Sequence, residues 1–388
     1  MLTKYDEMLC HQINPGFDEV GTTERNWSDH IWAGFFDTAN KIHVGYKFGK
    51  YPNRNVMDAA GGVAISGKQI TVRASRALHP GIDVEKVGPL AYDVPEPLQR
   101  IHIFLGQNDY GASFDIEFEA SSPPMAEPGG HTSVSGFTIN KEVRYYQACR
   151  ASGKVSFEGK TYHIKKETSY AFRDHTWGVR GYTGVPPAGT WLWRPSQGSP
   201  EDGLMPAPKI AGFLGALFVV HAKDYCLYYT HAEGPDAKLL GTSVIAGAGG
   251  YIAFPPGDPR PRISLIHSEL DFDIFPGSRR VKSLRGILTR EDGEKIKISS
   301  KFLGSAFSLD AVGYHGFKHW WPGKWMGPMW LDGEKLDLTD ETVLREAGMC
   351  MDTAMEFNVD GEVCHGSIQA AAAGELPKYG LRASDMPW

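Results

Sequence analysis

Hydrophobic and polar positions alternate with a period of two over much of the chain, and the elements this predicts are strands. Ile42, Val44, Tyr46 and Phe48 alternate with Lys41, His43, Gly45 and Lys47. Residues 63–65 and 69–77 read as a hairpin through Ser66-Gly67-Lys68. Residues 98–105 read as a strand. Phe114, Ile116 and Phe118 alternate with Asp115, Glu117 and Glu119, which predicts one packed face and one wet face. Stretches 143–157 and 160–172 form a hairpin around Glu158-Gly159-Lys160. Further strands are predicted at 213–221, 225–230, 263–274, 280–288 and 295–301. A hairpin of 349–359 and 363–371 around Asp360-Gly361-Glu362 closes the chain. One short helix is expected at Asp340–Ala347, capped by Thr339 or Asp340 and stopped by Gly348. Residues 1–40 read as an irregular lead-in.

Each half therefore carries enough strand for one barrel of about eight strands, a size that fills with side chains or holds one small ligand. The expected fold class is all-β: two antiparallel β-barrels in tandem, packed together, with little helix. The expected division is residues 1–188 and 189–388. Helical periodicity is too sparse for a dinucleotide-binding or α/β-barrel fold.

Composition narrows the partners more than the fold. A length of 388 residues suits two or three units. With 41% hydrophobic and 22% charged residues the chain reads as ordinary globular protein. A net charge of −6 and the lack of a basic cluster argue against nucleic acid. The N-terminal Met1-Leu2-Thr3-Lys4-Tyr5-Asp6-Glu7 lacks the apolar core of a signal peptide, and no run is long enough to span a membrane. Cys10, Cys149, Cys226, Cys350 and Cys364 are scattered, with no Cys-x-x-Cys pair. That pattern fits reduced thiols, a cytoplasmic location and no metal site. His315 and His319 have helical spacing, but Gly316 and the following Trp-Trp-Pro argue against a helix that would make them a metal pair. The 10 Trp, 16 Tyr and 19 Phe provide either bulk for a β core or walls for a flat, hydrophobic ligand. Composition leaves both open. No His-Glu-x-x-His, Gly-x-Ser-x-Gly, phosphate loop or dinucleotide fingerprint is present.

The densest chemistry lies at Arg173-Asp174-His175-Thr176-Trp177-Gly178-Val179-Arg180, after a strand-like segment and before the turn-forming 181–187. Asp29-His30-Ile31-Trp32 repeats its Asp-His-x-Trp pattern. The repeat is either chance or the trace of a site built from two places, and the second reading requires the two stretches to meet in space. In a regular strand Arg173, His175 and Trp177 share one face, and Asp174 and Thr176 the other. Asp174 and His175 then enter one cavity only if a bulge or the approaching turn re-aims one of them. The structural reading of the motif is an Arg–Asp ion pair, a backbone-bonded His and a core Trp. The functional reading is general acid–base chemistry by Asp174 and His175.

Gly153 to Tyr162 followed by the Asp-His-x-Trp-Gly core at 174–178 resembles the tandem lipocalin-like group. That group includes the carotenoid 1,2-hydratase (hydroxyneurosporene synthase) family and uncharacterised bacterial relatives. Tyr51-Pro52-Asn53 and the Asp360-Gly361-Glu362 hairpin also look like that group. The resemblance implies two lipocalin-like barrels, no redox cofactor, and reactions that add or remove water, isomerise or cyclise hydrophobic molecules. The carotenoid substrate is not carried over, because the chain lacks membrane-associated character.

The expected function is thus a cofactor-independent lyase or isomerase acting on a hydrophobic, hydroxylated aromatic or terpenoid molecule. It would remove or add water, or release a fragment such as formaldehyde, as in the catabolism of aromatic compounds. Asp174 and His175 would be catalytic. Trp177, Arg173, Arg180, Trp27, His30, Tyr46 and Tyr182 would bind substrate. A non-catalytic carrier of a hydrophobic ligand is the alternative. A third reading makes the aromatic stretch 314–330 a partner-binding surface, which requires it to be exposed. Homodimerisation is left open.

Overall fold

Period-two segments pair through short turns, as their spacing predicts. The computed structural model describes residues 14–127, 130–134, 137–180, 212–239, 249–314 and 316–382. Tyr182, His315, Cys10 and the loop at 195–208 lie outside the described residues. The strands are β1 (Trp27–Asp37), β2 (Ile42–Tyr51), β3 (Val56–Ile65), β4 (Lys68–Ala77), β5 (Lys86–Val87), β6 (Leu90–Glu96), β7 (Arg100–Leu105) and β8 (Ala112–Ala120). They continue with β9 (Met125–Ala126), β10 (Gly130–Val134), β11 (Phe137–Phe157), β12 (Lys160–Ile164), β13 (Ser169–Arg180), β14 (Phe213–His221) and β15 (Cys226–Glu233). The last are β16 (Gly249–Ala253), β17 (Ile263–Ile274), β18 (Val281–Arg290), β19 (Lys295–Ser308), β20 (Met329–Asp337), β21 (Cys350–Val359) and β22 (Glu362–Ala373). The single α-helix among the described residues, α1 (Glu341–Ala347), begins where Asp340 accepts a hydrogen bond from the Thr342 N–H and ends at Gly348, as the sequence predicts.

The fold is all-β and lipocalin-like in tandem. β14–β19, β21 and β22 form a closed eight-stranded barrel. The other strands form a 14-stranded sheet in the order β20-β4-β3-β2-β1-β13-β11-β8-β7-β6-β5, with β9, β10 and β12 paired to β11. This sheet curls so that Val87 and Leu90 pack with Met57, Ala59 and Ala74 in one core. β20 comes from the C-terminal half of the chain yet extends the edge of the first sheet through β4. Two-residue left-handed turns at Glu158-Gly159 (φ 48° and 82°) and Asp360-Gly361 (φ 49° and 96°) set the predicted hairpins, a geometry that matches strand twist.

β1 was not expected: residues 27–37 fall in the predicted irregular lead-in. It lies between β2 and β13 in the first sheet. From Ile31 to Asp37 every residue is buried, so both faces are packed and no polar alternation marks it. Ile31, Ala33 and Phe35 enter the first core, whereas Trp32 joins a second cluster with Phe172, Tyr228, Phe307 and Trp320. That second cluster is the seam where the outer face of the first sheet meets the barrel. Trp320, Trp321 and Phe317 are buried, so most of the 314–330 aromatic stretch packs inward; Trp325 is the exception.

Gly45 shows how closely the seam is packed. A Cβ there would sit 2.5 Å from the Phe307 ring and 2.7 Å from Trp32. Gly45→Ala is therefore expected to destabilise the protein by about 1–3 kcal/mol through overpacking. Chemical denaturation checks this, and trimming Phe307 to Leu in the same chain should restore part of the loss.

Candidate active site

β1 and β13 pair antiparallel without a register shift from Trp27↔Val179 to Asp37↔Ser169. The two Asp-His-x-Trp stretches therefore meet: Asp29 lies opposite Trp177, Ile31 opposite His175, and Trp32 opposite Asp174. Pairing of β13 with β11 is equally regular over this stretch. No bulge re-aims a side chain. Paired residues share a face, so Asp174 joins His30, Trp32 and Tyr146 on the outer face. His175 faces the other way, with Ile31 and Tyr145. The expectation that Asp174 and His175 act together in one cavity is corrected: strand alternation keeps them apart.

The outer-face group opens on a small cleft at the seam, walled by His30, Trp32, Lys47, Asp174, Arg180, Tyr314 and Pro322. Its volume of about 20 Å³ suits one water molecule. These walls accommodate a hydroxyl-sized group and not the body of an aromatic or terpenoid ligand.

Asp174 is buried, and loss of hydration raises its carboxyl to about 6, against an opposing pull from Arg144 and Arg180. It has no hydrogen-bond partner among the described residues. The two arginines have other carboxylates: Arg144 reaches Glu142 at 3.0 Å and Glu127 at 3.6 Å, and Arg180 reaches Glu142 at 3.7 Å. Asp174 is therefore not needed as their counter-ion, and the expected Arg–Asp pair of the structural reading does not form. Glu127 is tied across the seam, accepting the Tyr228 hydroxyl at 2.5 Å.

His30 is neutral. Burial pushes its imidazole well below the usual range, and Arg180 adds to the push. Arg180 Nη1 lies 2.5 Å from His30 Nε2. A guanidinium only donates, so Nε2 accepts, and the ring proton sits on Nδ1 facing Ser28 Oγ at 3.3 Å. Lys47 is also buried, and its ammonium falls to about 8 through lost hydration, partly offset by Asp58 at 3.5 Å. It reaches the Tyr51 hydroxyl at 3.2 Å and lies 5.5 Å from the Trp320 ring centroid.

Of the residues expected to bind substrate, His30 and Arg180 line the cleft. Tyr46 does not: it is fully buried in the first core, packs edge-on against Phe114, and donates to the Ala91 carbonyl at 2.7 Å. Arg173 and Trp177 share the inward face with His175, and Trp27 lies on the same face at the end of β1. Sequence reasoning missed Trp32, Lys47, Tyr314 and Pro322. Lys47 alternates with apolar positions and so reads as solvent-facing. The small residues beside it, Gly45, Gly49 and the Ala59-Ala60-Gly61-Gly62 run, are the signal that a second layer covers that face.

The model of a family of unknown function matches residues 2–382. No curated protein matches the sequence. The structure is similar to that of an AttH-like protein from Nitrosomonas europaea, at 12% identity and a TM-score of 0.52, over 90% of this chain and 93% of the other. It is also similar to kievitone hydratase from Nectria haematococca, at 12% identity and a TM-score of 0.42, over 92% and 93% of the two chains. For CghA solved with Sch210972 the values are 9% and 0.45, over 90% and 89%. The AttH-like structure shares the tandem fold, as the sequence resemblance implied.

Proposed function

The chain belongs to that family, DUF8625, which brings no activity with it, and we propose from the site itself a cofactor-independent lyase or isomerase. Its substrate is a hydrophobic, hydroxylated small molecule, and its acid is Asp174. The observation that carries this reading is a buried carboxyl, raised to about 6, on the wall of a hollow the size of one water. A protonated carboxyl can donate to a hydroxyl held in that hollow, so the hydroxyl leaves as water. The carboxylate that remains can take a proton from the neighbouring carbon, which forms the double bond and restores the acid. Hydration runs the same steps in reverse. If the hydroxyl sits on a hydroxymethyl group, the carboxylate form takes its proton, the bond from that carbon to the rest of the molecule breaks to release formaldehyde, and the electron pair left on the remaining carbon takes the proton back from Asp174. Trp32 and Tyr314 also line the hollow, and an aromatic face beside it would stabilise positive charge left on the carbon that loses the hydroxyl. His30, with its acceptor nitrogen held by Arg180, fixes the wall and does not compete as base.

The test is incubation of the protein with a cell metabolite extract, read by mass spectrometry against Asp174→Asn. One compound should lose or gain water, or lose formaldehyde, with the wild type and not with the variant. Equal processing of that compound by both would sink the assignment of Asp174.

A further inference from the structure

The inward face of β13 carries a group that the proposed reaction does not use. Arg173 is 4% exposed and faces the interior of the first sheet. Its Nε and Nη2 donate to the Gln147 side-chain oxygen at 2.9 and 2.6 Å. Gln147 is itself fixed, donating to the Leu98 and Ser122 carbonyls at 2.8 and 2.9 Å. The remaining Nη1 reaches the Tyr145 hydroxyl, at 3.4 Å, and the side chains of Tyr92 and Cys149 also lie within reach of the guanidinium. Among the described residues no carboxylate pairs with Arg173. Arg73 and Arg180, also buried in this sheet, do have acidic partners: Arg73 lies 2.8 Å from Glu334, and Arg180 lies 3.7 Å from Glu142.

A buried cation without a counter-ion is costly, and a planar guanidinium is shaped for a carboxylate, which would replace weaker neutral partners. The surroundings describe the rest of such a ligand. Tyr145 and His175 pack edge-on with ring centroids 5.6 Å apart, and His175 packs on Trp177 at 5.2 Å. Trp177 is 37% exposed and pairs with Val143, which is 42% exposed. The acid at this rim, Asp29, is held by His175 Nε2 at 2.6 Å. An aromatic, partly exposed rim thus stands near an uncompensated cation.

We propose that this end of the first sheet's interior is a second binding site, for a small aromatic carboxylate. The carboxylate sits on Arg173 and the ring lies against Tyr145 and Trp177. The site is on the opposite face of β13 from the cleft and does not depend on the reaction assigned there.

Calorimetric titration of the full chain with benzoate and with 4-hydroxybenzoate tests this, with benzyl alcohol as the neutral control. At least one acid should bind saturably, about tenfold or more tighter than benzyl alcohol. Arg173→Met should weaken that binding by about tenfold or more, and Trp177→Ala by about threefold or more. Circular dichroism establishes which variants are folded. Absence of saturable binding by either acid overturns the proposal, as does unchanged affinity in any folded variant of the two.

Discussion

Asp174→Asn is expected to cut turnover by about 10²–10⁴-fold, the usual contribution of a placed proton donor, while making the protein more stable above pH 6. The two effects share one cause. The folded protein holds the Asp174 proton up to about pH 6, whereas the unfolded chain releases it near the ordinary value of 3.8. Between those values the native state binds more protons, so stability falls as pH rises through the window. From pH 7 upward the ionised carboxylate costs up to about 3 kcal/mol. Asparagine removes that cost, and the gain should fade as pH falls from 6 to 4. For dehydration, which begins from the protonated form, kcat/KM should fall about tenfold per pH unit above about 6. His175→Gln, on the other face of the strand, should retain far more turnover than Asp174→Asn. Denaturant titrations at pH 4 and pH 8 beside rate measurements check both halves.

Asp58→Ala is expected to cost about 3–5 kcal/mol, because it leaves the buried Lys47 ammonium without its counter-charge. The same carboxylate accepts the Gly323 N–H at 2.5 Å, so it also anchors the aromatic segment that supplies Pro322 to the cleft. Without Asp58, lost hydration pulls Lys47 below its present value of about 8. The lysine then deprotonates in the folded state at a lower pH, so the loss should be smaller at pH 9 than at pH 6. Lys47→Met in the Asp58→Ala background should recover a large share of the stability, since it removes the stranded charge. A double-mutant cycle by thermal unfolding measures this.

The sequence made the hairpins legible where turn and alternation agreed, as around Glu158-Gly159 and Asp360-Gly361. The helix at Glu341–Ala347 was legible from its Asp340 cap and Gly348 stop. It did not reveal β1, because a strand packed on both faces loses the polar alternation that marks an edge or a wet face. The repeated Asp-His-x-Trp pattern was visible, and the condition attached to it, contact between the two copies, holds. Its consequence was not visible: antiparallel pairing puts Asp174 and His30 on one face and His175 and Asp29 on the other. Lys47 reaches Asp174 because β2, β1 and β13 are neighbours in register, with Lys47 opposite Trp32 and Trp32 opposite Asp174, and Tyr314 comes from the distant segment between β19 and β20.

Acid catalysis by Asp174 depends on the protonation of its carboxyl. Carbon-13 NMR of protein labelled at the aspartate side-chain carboxyls reports it directly, with the Asp174 signal identified by its absence in Asp174→Asn. A titration midpoint near 6 is predicted. A midpoint at or below the ordinary aspartate value of 3.8 would mean that the carboxyl is ionised and held as a structural charge, and would contradict the assignment.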